Sequence, residues 1–204
     1  LDYLRTALGQ WASVAPRRTV ARDTLIRCWQ RNQLNPQELN LSTVGLTDED
    51  LATLPHLADA FGHVEELHLS GNPLRSMPYL LTGQLPRMHT LFASALELEE
   101  LPGGLTPALK SLELTDNNIV WSQQSQDALA RYPALEPLNL AANPLTVPPY
   151  LPAAPNLIEA NLFDCSLYEM PVHLERLPNL EHLDLSSNHI SALPAGLEQH
   201  LSAD

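Results

Sequence analysis

The pattern L-x-x-L-x-L-x-x-N-x-L returns six times along this chain, and it returns on a step. One copy uses Val64, Leu67, Leu69, Asn72 and Leu74; the next uses Met88, Leu91, Ala93, Leu96 and Leu98. Then come Leu109, Leu112, Leu114, Asn117 and Ile119, followed by Leu135, Leu138, Leu140, Asn143 and Leu145. Leu157, Ala160, Leu162, Cys165 and Leu167 form the fifth copy, and Leu180, Leu183, Leu185, Asn188 and Ile190 the sixth. Leu39, Leu41, Val44 and Leu46 make a degenerate opening copy. Counted from their first residues, the copies are separated by 24, 21, 26, 22 and 23 residues. Chance matching in a leucine-rich chain does not hold a step. A unit this short cannot bury its own apolar side, so the copies must stack on one another.

The pattern and its spacing are those of a leucine-rich-repeat horseshoe: an α/β solenoid with a parallel concave sheet. In each x-L-x-L the two leucines point inward from a short strand and their neighbours point to solvent. The asparagine column falls where the chain leaves the strand. There a side-chain amide satisfies backbone groups that the turn leaves unpaired. Asn72, Asn117, Asn143 and Asn188 fit that role, and Cys165 reads as a buried structural thiol in the same column. Leu96 and Val44 interrupt the column, so their turns are expected to differ. Most repeats close on Leu54-Pro55, Met77-Pro78, Leu101-Pro102, Met170-Pro171 or Leu193-Pro194. Proline disfavours helix at the residue before it, which predicts an extended or 3₁₀ convex side. The longest repeat is the exception: Ser122 can cap a helix running toward Tyr132, with Ala128 and Leu129 facing inward.

A solenoid exposes its core at each end unless something covers it. Leu1, Leu4, Leu8 and Trp11, then after Pro16 the residues Ala21, Leu25, Cys28 and Trp29, form two one-sided apolar stripes. They predict a helical cap over residues 1–34, packed on a repeat domain of about seven repeats over 35–204. The sixth repeat runs through Leu193-Pro194 and Gly196 to Asp204 with no polar-faced capping repeat, and the chain opens on Leu1. The missing cap leads to the expectation of a chain truncated at its carboxyl end and continuing past Asp204, and the opening Leu1 to that of an excised or processed segment.

Residues 1–33 hold six arginines against two aspartates, a balance of +4 that leaves −17 for the rest of a chain of net charge −13. Lys110 is the only lysine. Phosphate backbones need clustered cations, so the acidic solenoid is not expected to bind nucleic acid. The arginine cluster reads as the solvated face of a helix. Cys28 and Cys165 form no C-x-x-C pair or disulfide framework, and no apolar run reaches the length of a transmembrane segment. Asn40-Leu41-Ser42 matches a glycosylation sequon that chance explains well.

Stacked strands turn equivalent outward positions into columns. The middle column reads Asn40, His68, Phe92, Glu113, Asn139, Asn161, Asp184. The column before it reads Glu38, Glu66, Thr90, Ser111, Pro137, Glu159, His182, and the one after it Ser42, Ser70, Ser94, Thr115, Ala141, Phe163, Ser186. Asp116 and Asp164 lie beyond. Phe92 and Phe163 are aromatic positions on an otherwise polar face, ringed by Glu66, Glu113, Glu159, Asp164 and Asp184. Aromatics ringed by polar groups mark protein interfaces. The expected partner is a protein carrying a basic patch and an apolar anchor, received by these residues together with His68, Asn139 and Asn161. Pro137 lies inside a strand and removes one ladder donor.

No catalytic constellation is legible. His68 and Ser70 share a strand, but Asp184 lies several strands away, roughly 20 Å at the ladder spacing. Gly103-Gly104 is a turn after Leu-Pro and not a phosphate loop, and the pairs Glu65-Glu66 and Glu99-Glu100 read as solvated. The histidines show no ligand spacing, so neither a metal nor a cofactor is expected.

A cap with Trp11 and Cys28-Trp29, then Leu39-Asn40-Leu41-Ser42, then repeats ending in Leu-Pro resembles the repeat region of bacterial type III effectors of the novel E3 ubiquitin ligase family, especially the large forms of pseudomonads. The resemblance spans essentially the whole chain. It implies a virulence protein secreted into the host cell, whose repeats select the protein to be ubiquitinated. It also implies an intramolecular contact with a separate C-terminal helical ligase domain. The family's catalytic cysteine sits in a Cys-x-Asp context, whereas Cys28 is followed by Trp29-Gln30 and Cys165 by Ser166-Leu167. No catalytic role transfers, and this segment is not expected to be an enzyme. The alternative is a free-standing bacterial repeat protein that binds or scaffolds, held in the bacterial cytoplasm.

Overall fold

A computed structural model describes residues 2–57 and 59–192. Leu1 of the cap stripe, and the expectations for Leu193-Pro194 and for Gly196 to Asp204, lie outside the described residues. Two helices, α1 (Asp2–Ala12) and α2 (Pro16–Trp29), precede seven three-residue strands: β1 (Glu38–Asn40), β2 (Glu66–His68), β3 (Thr90–Phe92), β4 (Ser111–Glu113), β5 (Pro137–Asn139), β6 (Glu159–Asn161) and β7 (His182–Asp184). All pair in parallel in chain order, forming one open sheet. The fold is a leucine-rich-repeat solenoid with a helical N-terminus. Register is in step throughout: Leu39, Leu67, Leu91, Leu112, Leu138, Ala160 and Leu183 are successive partners. All of these except Leu183 are buried; in the last described repeat Leu183 and Leu185 are half-exposed.

The turn off each strand repeats one backbone solution. Thr43, Gly71, Ala95, Asp116, Ala142, Asp164 and Ser187 all take left-handed φ, between 50° and 72°. At 71 glycine has a second reason besides its φ: a Cβ there would lie 2.9 Å from Thr43 Cγ2 of the preceding repeat. The next residue is the asparagine column. Asn72 Nδ2 donates to the carbonyls of Leu41 and Leu69, and its Oδ1 accepts from Gly45 and Leu46 N–H. Asn117, Asn143 and Asn188 repeat this link to the preceding repeat, accepting from Leu98, Ile119 and Leu167 respectively. Where the next column residue is not asparagine the turn closes on itself. Leu74 N–H, facing Leu96, bonds Asn72 O, and Leu145 N–H, facing Cys165, bonds Asn143 O, both at 2.8 Å. The Leu96 turn therefore differs as expected, but the change appears one repeat earlier. Cys165 keeps half of the amide's work: its thiol donates to Leu140 O at 3.1 Å.

The convex side is more helical than the Leu-Pro endings predict. The expected helix is present as α5 (Gln123–Leu129), with Ser122 Oγ accepting from Ser125 N–H. Two single-turn helices join it, α3 (Asp48–Ala52) and α4 (Tyr79–Thr82), and 3₁₀ turns cover Leu151–Ala153 and Leu174–Arg176. For α3 the reason is a capping box, with Thr47 and Asp50 each satisfying the other's backbone N–H. Helix α4 starts directly after Pro78, which suits the first turn because it needs no donor there.

The cap stripes are buried as expected at Leu4, Leu8, Trp11, Ala21, Leu25 and Cys28. The arginine cluster is the expected solvated face at Arg5, Arg27 and Arg31, and departs from that reading at Arg18. Arg17 and Arg18 both bond Asp50, whose carboxylate is fully buried; Arg17 reaches it from the surface, whereas Arg18, with Nε 2.7 Å from Asp50 Oδ1, is itself buried. Arg18 also lies over the Trp11 ring, and Trp11 Nε1 donates to Asp50 O. A charge placed inside needs partners, and these arginines are the partners of Asp50.

Candidate partner-binding face

The register brings the outward columns together. Asn40, His68, Phe92, Glu113, Asn139, Asn161 and Asp184 are neighbours in sequence order, so side chains 144 positions apart share one wall. The flanking column holds Glu38, Glu66, Thr90, Ser111, Pro137, Glu159 and His182. At each other junction the carbonyl ahead of the strand accepts two N–H groups, as Gln37 O does from Glu65 and Glu66. Lys110 O accepts only one, from Glu136. Pro137 is the missing second donor, and the register beside it is kept.

Most polar side chains of the middle column bond locally. As the chain leaves the strand, Asn40, Glu113, Asn139, Asn161 and Asp184 each accept the N–H two residues on, at 2.9 to 3.1 Å. Glu113 also takes the hydroxyls of Ser94 and Thr115, and Asp184 that of Ser186. These bonds hold the Asp184 carboxyl below the ordinary aspartate range. Such residues keep lone pairs for a partner but are already tied down, which lowers the entropy lost on contact. Asp164 stands apart: it is the left-handed turn residue of its repeat and its side chain is exposed.

The two aromatics are not equivalent. Phe92 is half-buried and stacks on His68, centroids 4.3 Å apart. His68 Nε2 in turn lies 3.7 Å from both Glu38 Oε1 and Glu66 Oε2. Glu38 is thus part of this cluster, which the outward column contained but composition alone did not single out. Phe163 is 40% exposed, with Glu159 and Asp164 exposed close by in the chain. The face therefore has two poles, one at β1–β3 built on His68 and Phe92, the other at β6 built on Phe163.

Elsewhere the structure forms one contact that spacing does not suggest: Cys28 Sγ lies 4.0 Å from His63 Nε2. It is not a nucleophile and base. The same Nε2 is 3.1 Å from Cys28 O, and since a carbonyl only accepts, that nitrogen carries its proton in that bond. Burial pushes both the Cys28 and the Cys165 thiols up to about 11, far from thiolate formation at neutral pH. Among the described residues no helix is long and apolar enough to cross a membrane.

Comparison with known proteins agrees with this architecture. A family profile described as "Leucine Rich repeat" matches residues 176–192. Among solved structures, a Shigella effector leucine-rich-repeat domain is 26% identical, with a TM-score of 0.66, covering 95% of this chain and 77% of that one. The leucine-rich-repeat domain of the type III effector XopL is 24% identical with a TM-score of 0.58, covering 96% and 86% of the two chains, and supports the fold alone. Among curated proteins, human podocan-like protein 1 is 27% identical over 83% of this chain, and rat osteomodulin is 30% identical over 78%. The chain spans only 37% of the length of each of these two relatives.

Proposed function

We propose that this chain is the substrate-recognition region of a bacterial effector-type E3 ubiquitin ligase, delivered into a host cell, and that its concave sheet receives the protein to be modified. The supporting observation is the in-step register of seven strands, which sets Glu66, His68, Phe92, Glu113, Asn139, Glu159, Asn161 and Asp184 in adjacent columns; Phe163 and Asp164 follow directly after β6, and we assign them to the same binding face. The wall is acidic with apolar points at its two poles. Its partner presents basic side chains around an apolar anchor. Similarity to the Shigella effector domain over nearly the whole chain favours the effector setting. The alternative, a repeat protein that binds or scaffolds without a ligase, is favoured by the curated relatives, which are named podocan-like protein 1, podocan and osteomodulin.

Photo-crosslinking tests the reading. A crosslinker at position 163 or 66 captures a host-cell protein, and one at exposed Val147 does not. The captured protein is then ubiquitinated in cells holding the parent effector and spared when the parent carries Phe163→Ser. Capture from position 147 alone moves the interface off the sheet. Capture from position 163 without ubiquitination leaves the binding role and removes the ligase.

A further inference from the structure

The repeat that begins at Met88 is the shortest, 21 residues before the next begins, and its convex segment contains no helix. Its neighbours carry α4 and α5. A short extended segment between two helix-bearing repeats lies recessed, and a groove of about 720 Å³ opens there. Leu98 to Gly103 line it, with Met77 and Tyr79 from the repeat before and Val120, Ser122 and Gln124 from the repeat after. Gly104 helps shape this region: a Cβ at 104 would lie 2.7 Å from Tyr79 Cε1, so glycine lets the tyrosine ring lie against the backbone. The sequence signals were the short step and the Gly103-Gly104 pair, both of which read as structural.

The groove lining mixes apolar, polar and charged side chains. Tyr79 is 46% exposed and Val120 51%. Glu99 and Glu100 are exposed and line the groove, and neither carboxylate has a hydrogen bond or ion pair to a described residue. Arg75, at one end, is already paired with Glu97 at 3.0 Å. A smaller groove of about 180 Å³ continues past Tyr79 to α3 and shares Ser76, Met77 and Tyr79 with the first.

We propose that this convex groove is a second docking site, distinct from the concave sheet, for an extended protein segment carrying arginine or lysine beside an aliphatic residue. Charge complementarity selects the occupant: two exposed carboxylates, with only Arg75 nearby among the described residues and that arginine already paired with Glu97, stand beside a half-exposed tyrosine that also accepts a guanidinium, on a solenoid that is acidic overall. An acidic or purely apolar segment leaves Glu99 and Glu100 unpaired or repelled. The groove holds whether or not the concave reading stands, because no residue is shared.

A synthetic peptide alternating arginine and leucine, titrated into the ¹⁵N-labelled chain, tests this, with an alternating glutamate and leucine peptide as control. The expected result is amide shifts at Tyr79, Glu99, Glu100, Gly103 and Val120. Glu99→Lys/Glu100→Lys should weaken binding about tenfold, as loss of facing charge does. Tyr79→Ser should weaken it less; the glutamate variant should melt with the wild type because its carboxylates are exposed, while loss of the half-packed tyrosine ring lowers the melting temperature slightly. Shifts confined to the concave columns, equal binding of the glutamate peptide, or no shift with the arginine peptide overturns the proposal. If a variant melts early, the wild-type shift map decides alone.

Discussion

Two polar networks hold this molecule together, and they are built on opposite principles. Along the solenoid, neutral amides of Asn72, Asn117, Asn143 and Asn188 repeat one link between adjacent coils. At the junction of cap and first repeat, a buried carboxylate, Asp50, gathers Arg17, the buried Arg18 and the Thr47 backbone. The amide network is distributed, and each member leaves a modest deficit when removed. The charged network is local, and its members depend on one another. Repetition makes a fold tolerant, whereas a one-off ion cluster fixes one interface.

Breaking the charged network has the largest expected effect. Asp50→Ala leaves Arg18 buried without its counter-charge, and chemical denaturation should show a loss of about 3–5 kcal/mol. A change below about 1 kcal/mol would mean that water already reaches the arginines. Next comes one amide: Asn143→Ala orphans Ile119 N–H, while Leu114 O keeps the Asn117 amide and Leu140 O keeps the Cys165 thiol; the cost is about 1–3 kcal/mol in the same measurement.

The two networks should also separate by pH. Burial works to raise the Asp50 carboxyl, but its bonds to Arg17, Thr47 and Arg18 outweigh this and hold it well below the aspartate range. A folded value below the unfolded one means the clamp's contribution is complete above about pH 4 and is lost as pH falls through the folded value. Stability of Asp50→Asn should therefore fall less on acidification than that of the wild type. Parallel acid limbs would remove Asp50 from the account, while Asn143→Ala should leave the limb's shape unchanged. The smallest effect is a repair. Cys165→Asn returns an acceptor for Leu145 N–H, which should gain less than about 1 kcal/mol and slow exchange of that amide. Unchanged exchange at Leu145 would show that the closed turn is as good as the bridged one.

The same contrast explains what the sequence disclosed. Periodic features were legible: the inward leucines, the asparagine column and the outward columns all follow from one template applied at a constant step. Ser122 was legible because a cap and a helical pattern coincide. Aperiodic features were not. Nothing in the spacing of Arg17 or Arg18 points to Asp50, about 30 residues away, so the one buried arginine, Arg18, read as solvated with its exposed neighbours. The Thr47-to-Asp50 capping box was written in the chain but masked by the prolines around it. On the candidate face, positions were legible and loads were not. Asn139, Asn161, Glu113 and Asp184 look free in sequence, yet each braces the turn two residues on. Phe92 and Phe163 look alike, yet only Phe163 stands clear of a stacking neighbour among the described residues.

The central claim is that an acidic concave wall with an exposed aromatic point holds the partner protein. Calorimetric titration of the protein captured at position 163 against three forms of the chain tests it most directly. Glu66→Lys/Glu159→Lys and Phe163→Ser should each weaken binding about tenfold or more, the former with a reduced salt dependence, while melting temperatures hold. Affinities within about twofold of wild type for both variants would contradict the claim, since a twofold change is under about 0.5 kcal/mol.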